Sequence, residues 1–195
     1  MSTVLANYQI SGAFPTVVGG TGTAAKYFPA PSGQIGVTGV TPSSTSSAGQ
    51  LGVPGNNRVN GQIFEVNSAG YFEVGVGGAC PSVTIDIQAN TAAPGVAPSY
   101  HTLATTGAIT TQNLDGVFYP WYLTLELEGD SSSGLLQGRY RGAVNDVLIN
   151  DTIVASLLSG LNFASEPVFG LVARVTFSVS EAGNSASMNQ FMIQA

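Results

Sequence analysis

Trp121-Tyr-Leu-Thr-Leu-Glu-Leu-Glu128, Gly129-Asp-Ser-Ser-Ser-Gly134 and Leu135-Leu-Gln-Gly-Arg-Tyr-Arg141 read in succession as a strand, a turn and a returning strand. In the first segment Trp121, Leu123, Leu125 and Leu127 alternate with Tyr122, Thr124, Glu126 and Glu128. Successive side chains of a strand point to opposite faces, so a period of two gives one apolar face for a core and one polar face away from it. A helix would gather its apolar residues every three or four positions instead. Glycine and serine between the two runs supply the backbone freedom and local hydrogen bonding that a tight reversal needs.

The same period recurs on both sides of this hairpin. Ser82-Val-Thr-Ile-Asp-Ile-Gln88 places Val83, Ile85 and Ile87 on one side and Thr84, Asp86 and Gln88 on the other. Phe169 to Ser180 predicts a long strand with Leu171, Ala173, Val175, Phe177 and Val179 on its core face, and Met188 to Gln194 a last one. Gln62 to Asn67, Ser68-Ala-Gly70 and Tyr71 to Gly75 predict a hairpin with a short glycine-containing loop. Residues 90–116, interrupted by Pro94 and Pro98, predict a long loop with room for one short strand, and Ala143 to Asp146 a turn. Only Thr152 to Leu161 suits a short helix, with Ile153, Leu157, Leu158 and Leu161 at helical spacing. Many short strands with little helix predict an all-β domain, a β-sandwich or jelly roll. No internal repeat points to a propeller or solenoid.

The chain divides at about residue 60. Residues 1–60 hold Lys26 and Arg58 and no acid, whereas residues 61–195 hold the other three basic residues and all 11 acids. The first part is dense in turn-formers, as in Val18-Gly-Gly-Thr-Gly22, Phe28-Pro-Ala-Pro-Ser-Gly33 and Thr41-Pro-Ser-Ser-Thr-Ser-Ser-Ala-Gly49. It is expected to be an extended N-terminal arm, ordered by packing on its own body (residues 61–195) or on neighbouring copies.

Charge is scarce throughout: 8% of residues are Asp, Glu, Lys or Arg, against about 25% in ordinary soluble domains. With mean hydropathy +0.25, the surface is built of small polar and apolar side chains, which gives a free monomer little to keep it apart from others. Such a surface is expected to be covered by neighbouring subunits, a homo-oligomer included. The net charge of −6 and the absence of a basic cluster argue against general nucleic-acid binding. No stretch is long and apolar enough for a membrane-spanning helix, and Met1-Ser-Thr-Val-Leu-Ala-Asn7 lacks the features of a signal peptide. Synthesis in a host cytoplasm and work in a soluble particle are the expectation.

Chemistry-bearing motifs are sparse. The one histidine, His101, and the one cysteine, Cys80, are the only candidates for a nucleophile and base, and neither sits in a known catalytic context. No phosphate-binding loop, nucleophile elbow or zinc motif occurs, so neither catalysis nor a cofactor is expected. Glu126, Glu128 and Asp130 project from one strand face; they suit cross-strand pairing with Arg139 and Arg141, a plain solvated face, or a Ca²⁺ site with the serine oxygens of 131–133. Tyr119, Trp121 and Tyr122 around Pro120 suit either core packing or an aromatic platform for an interface or a sugar. Burial of Trp121 would remove that platform.

The neutral Gly/Ser/Thr/Pro arm, the strand Ser82–Gln88 and the run Leu123-Thr-Leu-Glu-Leu-Glu-Gly-Asp-Ser-Ser-Ser-Gly-Leu-Leu-Gln-Gly138 resemble bacteriophage virion structural proteins, above all capsid decoration (head cement) proteins. The resemblance covers residues 60–195 in style and is compositional. It implies a β-sandwich or jelly roll seated on the capsid lattice, often as a trimer, with the major capsid protein or other virion proteins as partners and no active site. Tail-tube proteins share the same look. A carbohydrate-binding host-attachment module built on Tyr119, Trp121 and Tyr122 is the reading from another class.

Overall fold

The computed structural model describes residues 4–9, 26–28, 51–52, 61–75, 82–90, 99–110, 118–130, 135–144, 147–153, 170–179 and 184–195. Among them the strands are β1 (Val4–Gln9), β2 (Lys26–Phe28), β3 (Leu51–Gly52), β4 (Ile63–Glu73), β5 (Ser82–Asn90), β6 (Tyr100–Thr105), β7 (Ile109–Thr110), β8 (Phe118–Asp130), β9 (Leu135–Val144), β10 (Val147–Ile153), β11 (Gly170–Phe177) and β12 (Ser185–Gln194). They form two antiparallel sheets. Sheet 1 has the order β1-β12-β4-β8-β9-β10; sheet 2 has the order β2-β11-β5-β6, with β3 also on β11 and β7 also on β5. The inner faces of the two sheets share one core: Phe64, Phe72, Leu123, Leu125 and Phe191 from sheet 1 meet Ile85, Ile87, Leu171, Val175 and Phe177 from sheet 2. The fold is a β-sandwich, because each sheet has one apolar face to bury and finds it on the other.

Among the described residues three strands lie in the first 60 positions. β1 pairs with β12 over Val4–Gln194 to Gln9–Gln190, while β2 and β3 pair with β11. The described parts of the first 60 residues therefore extend one edge of each sheet. Among the described residues the other edge of sheet 1 is β10.

The strands expected at β5, β8, β9, β11 and β12 are present, and the residues expected inward on β5, β8 and β11 are buried, except that Val179 lies beyond the end of β11 and is partly buried. The hairpin expected over residues 62–75 is not. Ile63 to Glu73 is one continuous strand, opposed along its length by β8 from Glu128 to Phe118. Period two runs unbroken through Ser68-Ala69-Gly70: Ser68 points inward and donates its hydroxyl to the Leu123 carbonyl at 3.1 Å. Gly70 marks a close approach and not a turn. A Cβ there would lie 2.0 Å from the Ser187 carbonyl oxygen and 2.8 Å from the Trp121 ring. Opposite it, the register of β12 shifts between Met188 and Gln190.

Within the expected loop 90–116, β6 and β7 lie in line along β5. Thr106 holds the join: its backbone N–H donates to the Ile85 carbonyl at 2.9 Å, and its hydroxyl accepts the Ile85 N–H at 3.0 Å. Gly107 follows at φ +63°, a conformation that glycine adopts at no steric cost. Of the segment expected as a helix, Thr152 and Ile153 close β10, and residues 154–161 lie outside the described residues.

Candidate functional site

Sheet 1 turns an outward face to solvent on β4, β8, β9 and β10, and this face carries the charged residues singled out in the sequence. Antiparallel register stacks its side chains in rungs. One rung is Glu65, Glu126 and Arg139; the next is Asn67, Thr124 and Arg141; the third is Ala69, Tyr122, Ala143 and Leu148. Directly opposed residues on one face have Cβ atoms about 5 Å apart, so each rung is a set of contacts.

The expected pairing across the β8–β9 hairpin forms at one point. The Arg139 Nε donates to Glu126 Oε2 at 2.6 Å, in the open, with side-chain exposures of 71% and 30%. This hydrogen bond, together with the carboxylate charge, holds the Arg139 guanidinium above its ordinary range. Glu128 instead accepts from the Gln137 amide at 3.1 Å. Arg141 faces Thr124 on one side and Asn150 on the other, so no acid stands opposite it. The side chain of Asp130 is outside the described residues, although its backbone closes β8 opposite Leu135.

Glu65 and Glu126 are like charges on one rung, an arrangement that is unfavourable unless each is otherwise engaged. Each is. Asn67 Nδ2 donates to Glu65 Oε1 at 2.6 Å, and Arg139 takes Glu126. Thr124 in turn donates its hydroxyl to Asn67 Oδ1 at 2.9 Å, which leaves its own oxygen as an acceptor toward the surface.

The aromatic platform is not assembled. Trp121 is 2% exposed and lies in the core, where its alternation with Leu123, Leu125 and Leu127 places it. Tyr119, two residues away on the same face, packs on the core and stacks on Phe72 with ring centroids 5.7 Å apart. Tyr122 faces the other way and is 48% exposed. A strand cannot present three aromatics at positions 119, 121 and 122 on one face, and the burial of Trp121 removes the strip. His101 lies on β6 opposite Ala89, partly buried. Cys80 lies outside the described residues. Among the described residues no group of three His, Cys, Asp or Glu side chains is placed to hold a metal ion.

Three hollows lie along β8 on the outward face. The first, about 390 Å³, is bounded by Tyr122, Thr124, Glu126, Arg139, Arg141 and Leu148. A second, about 360 Å³, continues past Glu126 and Arg139 to Glu128, Gln137 and Ile63. A third, about 320 Å³, lies on the far side of Tyr122, against Tyr71, Pro120 and Asn189. Alternation alone places Tyr122, Thr124, Glu126 and Arg141 on this face. The parts played by Asn67, Tyr71 and Leu148 depend on which strands become neighbours, and no local pattern encodes that.

No family model matches this chain, and no curated protein matches it. Among solved structures it is similar to peanut lectin in complex with a nine-residue peptide, at TM-score 0.42 and 8% identity over 100% of this chain and 97% of the lectin. It is also similar to lectin I from Ulex europaeus in complex with the methyl glycoside of α-L-fucose, at TM-score 0.41 and 11% identity over 100% and 97% of the two chains. Alginate lyase from Pseudomonas aeruginosa follows at TM-score 0.28 and 13% identity over 67% and 64%. These likenesses concern the two-sheet fold, and binding properties do not transfer at such distances.

Proposed function

We propose that this chain is a non-catalytic structural subunit of a virus particle, a decoration protein that stabilises a capsid by bridging its subunits. The observation that carries this reading is the edge of sheet 1. Among the described residues β10 has β9 as its one neighbour, and it exposes Val147 at 45% and Leu148 at 80%. Native edge strands are usually guarded by lysine, proline, bulges or inward charges. Val147-Leu-Ile-Asn-Asp-Thr-Ile153 contains no lysine or proline, and Asp151 is its one charge. An edge without lysine or proline, on a chain with 8% charged residues, suits pairing with a neighbour.

Each such contact is modest. At about 25 cal/mol per Å² of apolar area, burying one exposed leucine contributes about 2 kcal/mol. Repetition over a lattice multiplies it, because every further contact is made within a complex already formed. The test is light scattering on the purified protein together with binding to particles that lack it. A discrete oligomer such as a trimer, or saturable binding to capsids, supports decoration. Open-ended tubes assign the chain to a tail instead, and a monomer without affinity for particles overturns the reading.

A further inference from the structure

We propose that β10 docks on β10 of a second copy of this chain, antiparallel and about a two-fold axis, so that sheet 1 of one copy continues into sheet 1 of the other. The inference rests on the reading of β10 as a docking edge given above, and it names what docks there.

Regularity singles this edge out. Among the described residues sheet 1 has β1 and β10 at its edges, and sheet 2 has β2 with β3 at one edge and β6 with β7 at the other. β1 shifts register on β12 between Val4 and Ala6, and β6 shifts on β5 between Ile87 and Gln88. β2 and β3 run for three and two residues, and Lys26 opens the first of them. Short strands, lysines and bulges are the means by which edges resist a further strand. β10 has no register shift and no lysine: it holds one register on β9 from Val147 opposite Val144 to Ile153 opposite Gly138, with Val147 and Leu148 exposed. A second copy that adds to this edge therefore offers, among its described residues, one regular edge of its own, and that edge is β10.

The hydrogen-bonding phase of β10 sets the register of the pair. Val147 stands opposite Val144 with two residues between them, and the pair that closes a two-residue hairpin is a hydrogen-bonded one. Bonded and non-bonded pairs alternate along an antiparallel ladder. Residues 147, 149, 151 and 153 therefore turn their backbone groups to β9, and Leu148, Asn150 and Thr152 turn theirs to the open side. Pairing about Asn150 uses all three. Asn150 meets Asn150, and Leu148 of each copy meets Thr152 of the other, which makes three pairs with two bonds each. Moving the axis to Ile149 or Asp151 loses one of those pairs. An axis at Asp151 also sets the one charge of the strand against itself, and like charges directly opposed are destabilising. About Asn150, Asp151 stands opposite Ile149 instead. A bridge between capsid subunits needs two ends, and a two-fold pair supplies two identical ones.

The test is sedimentation velocity of the purified full chain over a range of concentrations, with particle binding measured on the same samples. The chain is expected to form a dimer and nothing larger. Leu148→Lys is expected to weaken the dimer tenfold or more, and adding Thr152→Glu to recover most of that loss, since the register sets each new cation opposite a new anion of the other copy. Asn150→Pro removes an N–H that β9 does not use, and it is expected to abolish the dimer while circular dichroism keeps the spectrum of the parent. A monomer at every concentration, a trimer, a Leu148→Lys dimer as tight as the parent, or a double variant no tighter than Leu148→Lys alone would each overturn the proposal. An open-ended polymer would overturn it as well, since head-to-tail pairing of β10 with another edge does not close. Saturable particle binding by a monomeric chain would keep the decoration reading and sink this inference; a dimer without affinity for particles would do the reverse.

Discussion

Among the described residues each sheet carries one arginine–carboxylate pair at directly opposed positions of neighbouring strands: Arg139 and Glu126 on sheet 1, Arg174 and Asp86 on sheet 2. The register and the chemistry are alike, but the surroundings are not. The Arg139 and Glu126 side chains are 71% and 30% exposed; those of Arg174 and Asp86 are 28% and 2% exposed. Asp86 Oδ2 accepts from Arg174 Nε at 2.7 Å and from Nη2 of the same guanidinium. From Asp86 to Asn90 the outward face of β5 is buried as deeply as its inward one, with Gln88 and Asn90 beside Asp86, while Ser82 and Thr84 are half-buried. Gln88 donates to Thr102 at 2.9 Å, but its Oε1 is buried without a partner among the described residues, as is Thr176 Oγ1. The outward face of sheet 1 is a surface, whereas that of sheet 2 is covered over the polar run Asp86, Gln88 and Asn90. One ion pair is an ornament of the first, and the other is a requirement of the second.

The sharpest way to break this contrast is Asp86→Ala. It removes the buried carboxylate that holds the Arg174 guanidinium, and the expected loss is about 3 kcal/mol in urea unfolding. Replacing both residues by apolar ones of similar volume, Asp86→Leu with Arg174→Met, is expected to recover most of it, because the pair's own net worth is small once desolvation is counted. If the single change were harmless, the buried face would be wetter than described.

Gly70→Ala comes next, with an expected cost of about 1–3 kcal/mol from forcing a methyl group against the Ser187 carbonyl and the Trp121 ring. Thermal unfolding measures it. A large effect shows that the inner side of sheet 1 is as exacting as sheet 2, so that tolerance is confined to its outward face.

Glu126→Gln is expected to leave the melting temperature within experimental error, because an exposed pair trades attraction for hydration and side-chain freedom. Salt sharpens the comparison. At about 1 M the screening length falls to about 3 Å, so a double-mutant cycle on Glu126 and Arg139 should show no coupling there, while the cycle on Asp86 and Arg174 should keep its own.

Leu148→Lys is expected to change stability least of all, since the side chain is 80% exposed. It is also expected to abolish particle binding or oligomer formation, because a lysine on an edge strand opposes strand addition. A fully assembling Leu148→Lys variant would move the docking surface away from β10.

What the sequence conveyed and what it withheld follow the reach of each signal. Alternation is local, and it located β5, β8 and β11 with their inward residues. Ser68-Ala69-Gly70 resembles a turn because glycine is read by its conformational freedom, whereas here its missing side chain makes room for Trp121. β6 was hidden by flanking prolines and by the polar Tyr100, His101 and Thr102. Alternation also reports polarity and not burial, so Asp86 and Gln88 looked like solvent-facing residues until the outward side of β5 proved covered. At the candidate site the pairing of Glu126 with Arg139 was legible from the hairpin, since the turn fixes the register. The place of Glu65, Asn67 and Tyr71 beside β8 was not, because their partners there lie 49 to 61 positions away in the chain.

The position of β12 between β1 and β4 sets an order of events for a ribosome-made chain. During synthesis β4 can pair with β8, and β8 with β9, while β12 is still unmade. Until then β4 keeps an open rim toward the gap, and β1 has no place to lodge. Once made, β12 fills that gap from both sides at once, joining Gln9 to Gln190 and Glu65 to Gln194. Contacts between such distant parts of a chain form slowly. A nascent chain with an unpaired rim is also exposed to sticking to its neighbours, which makes the interval before β12 arrives the time when a chaperone matters most.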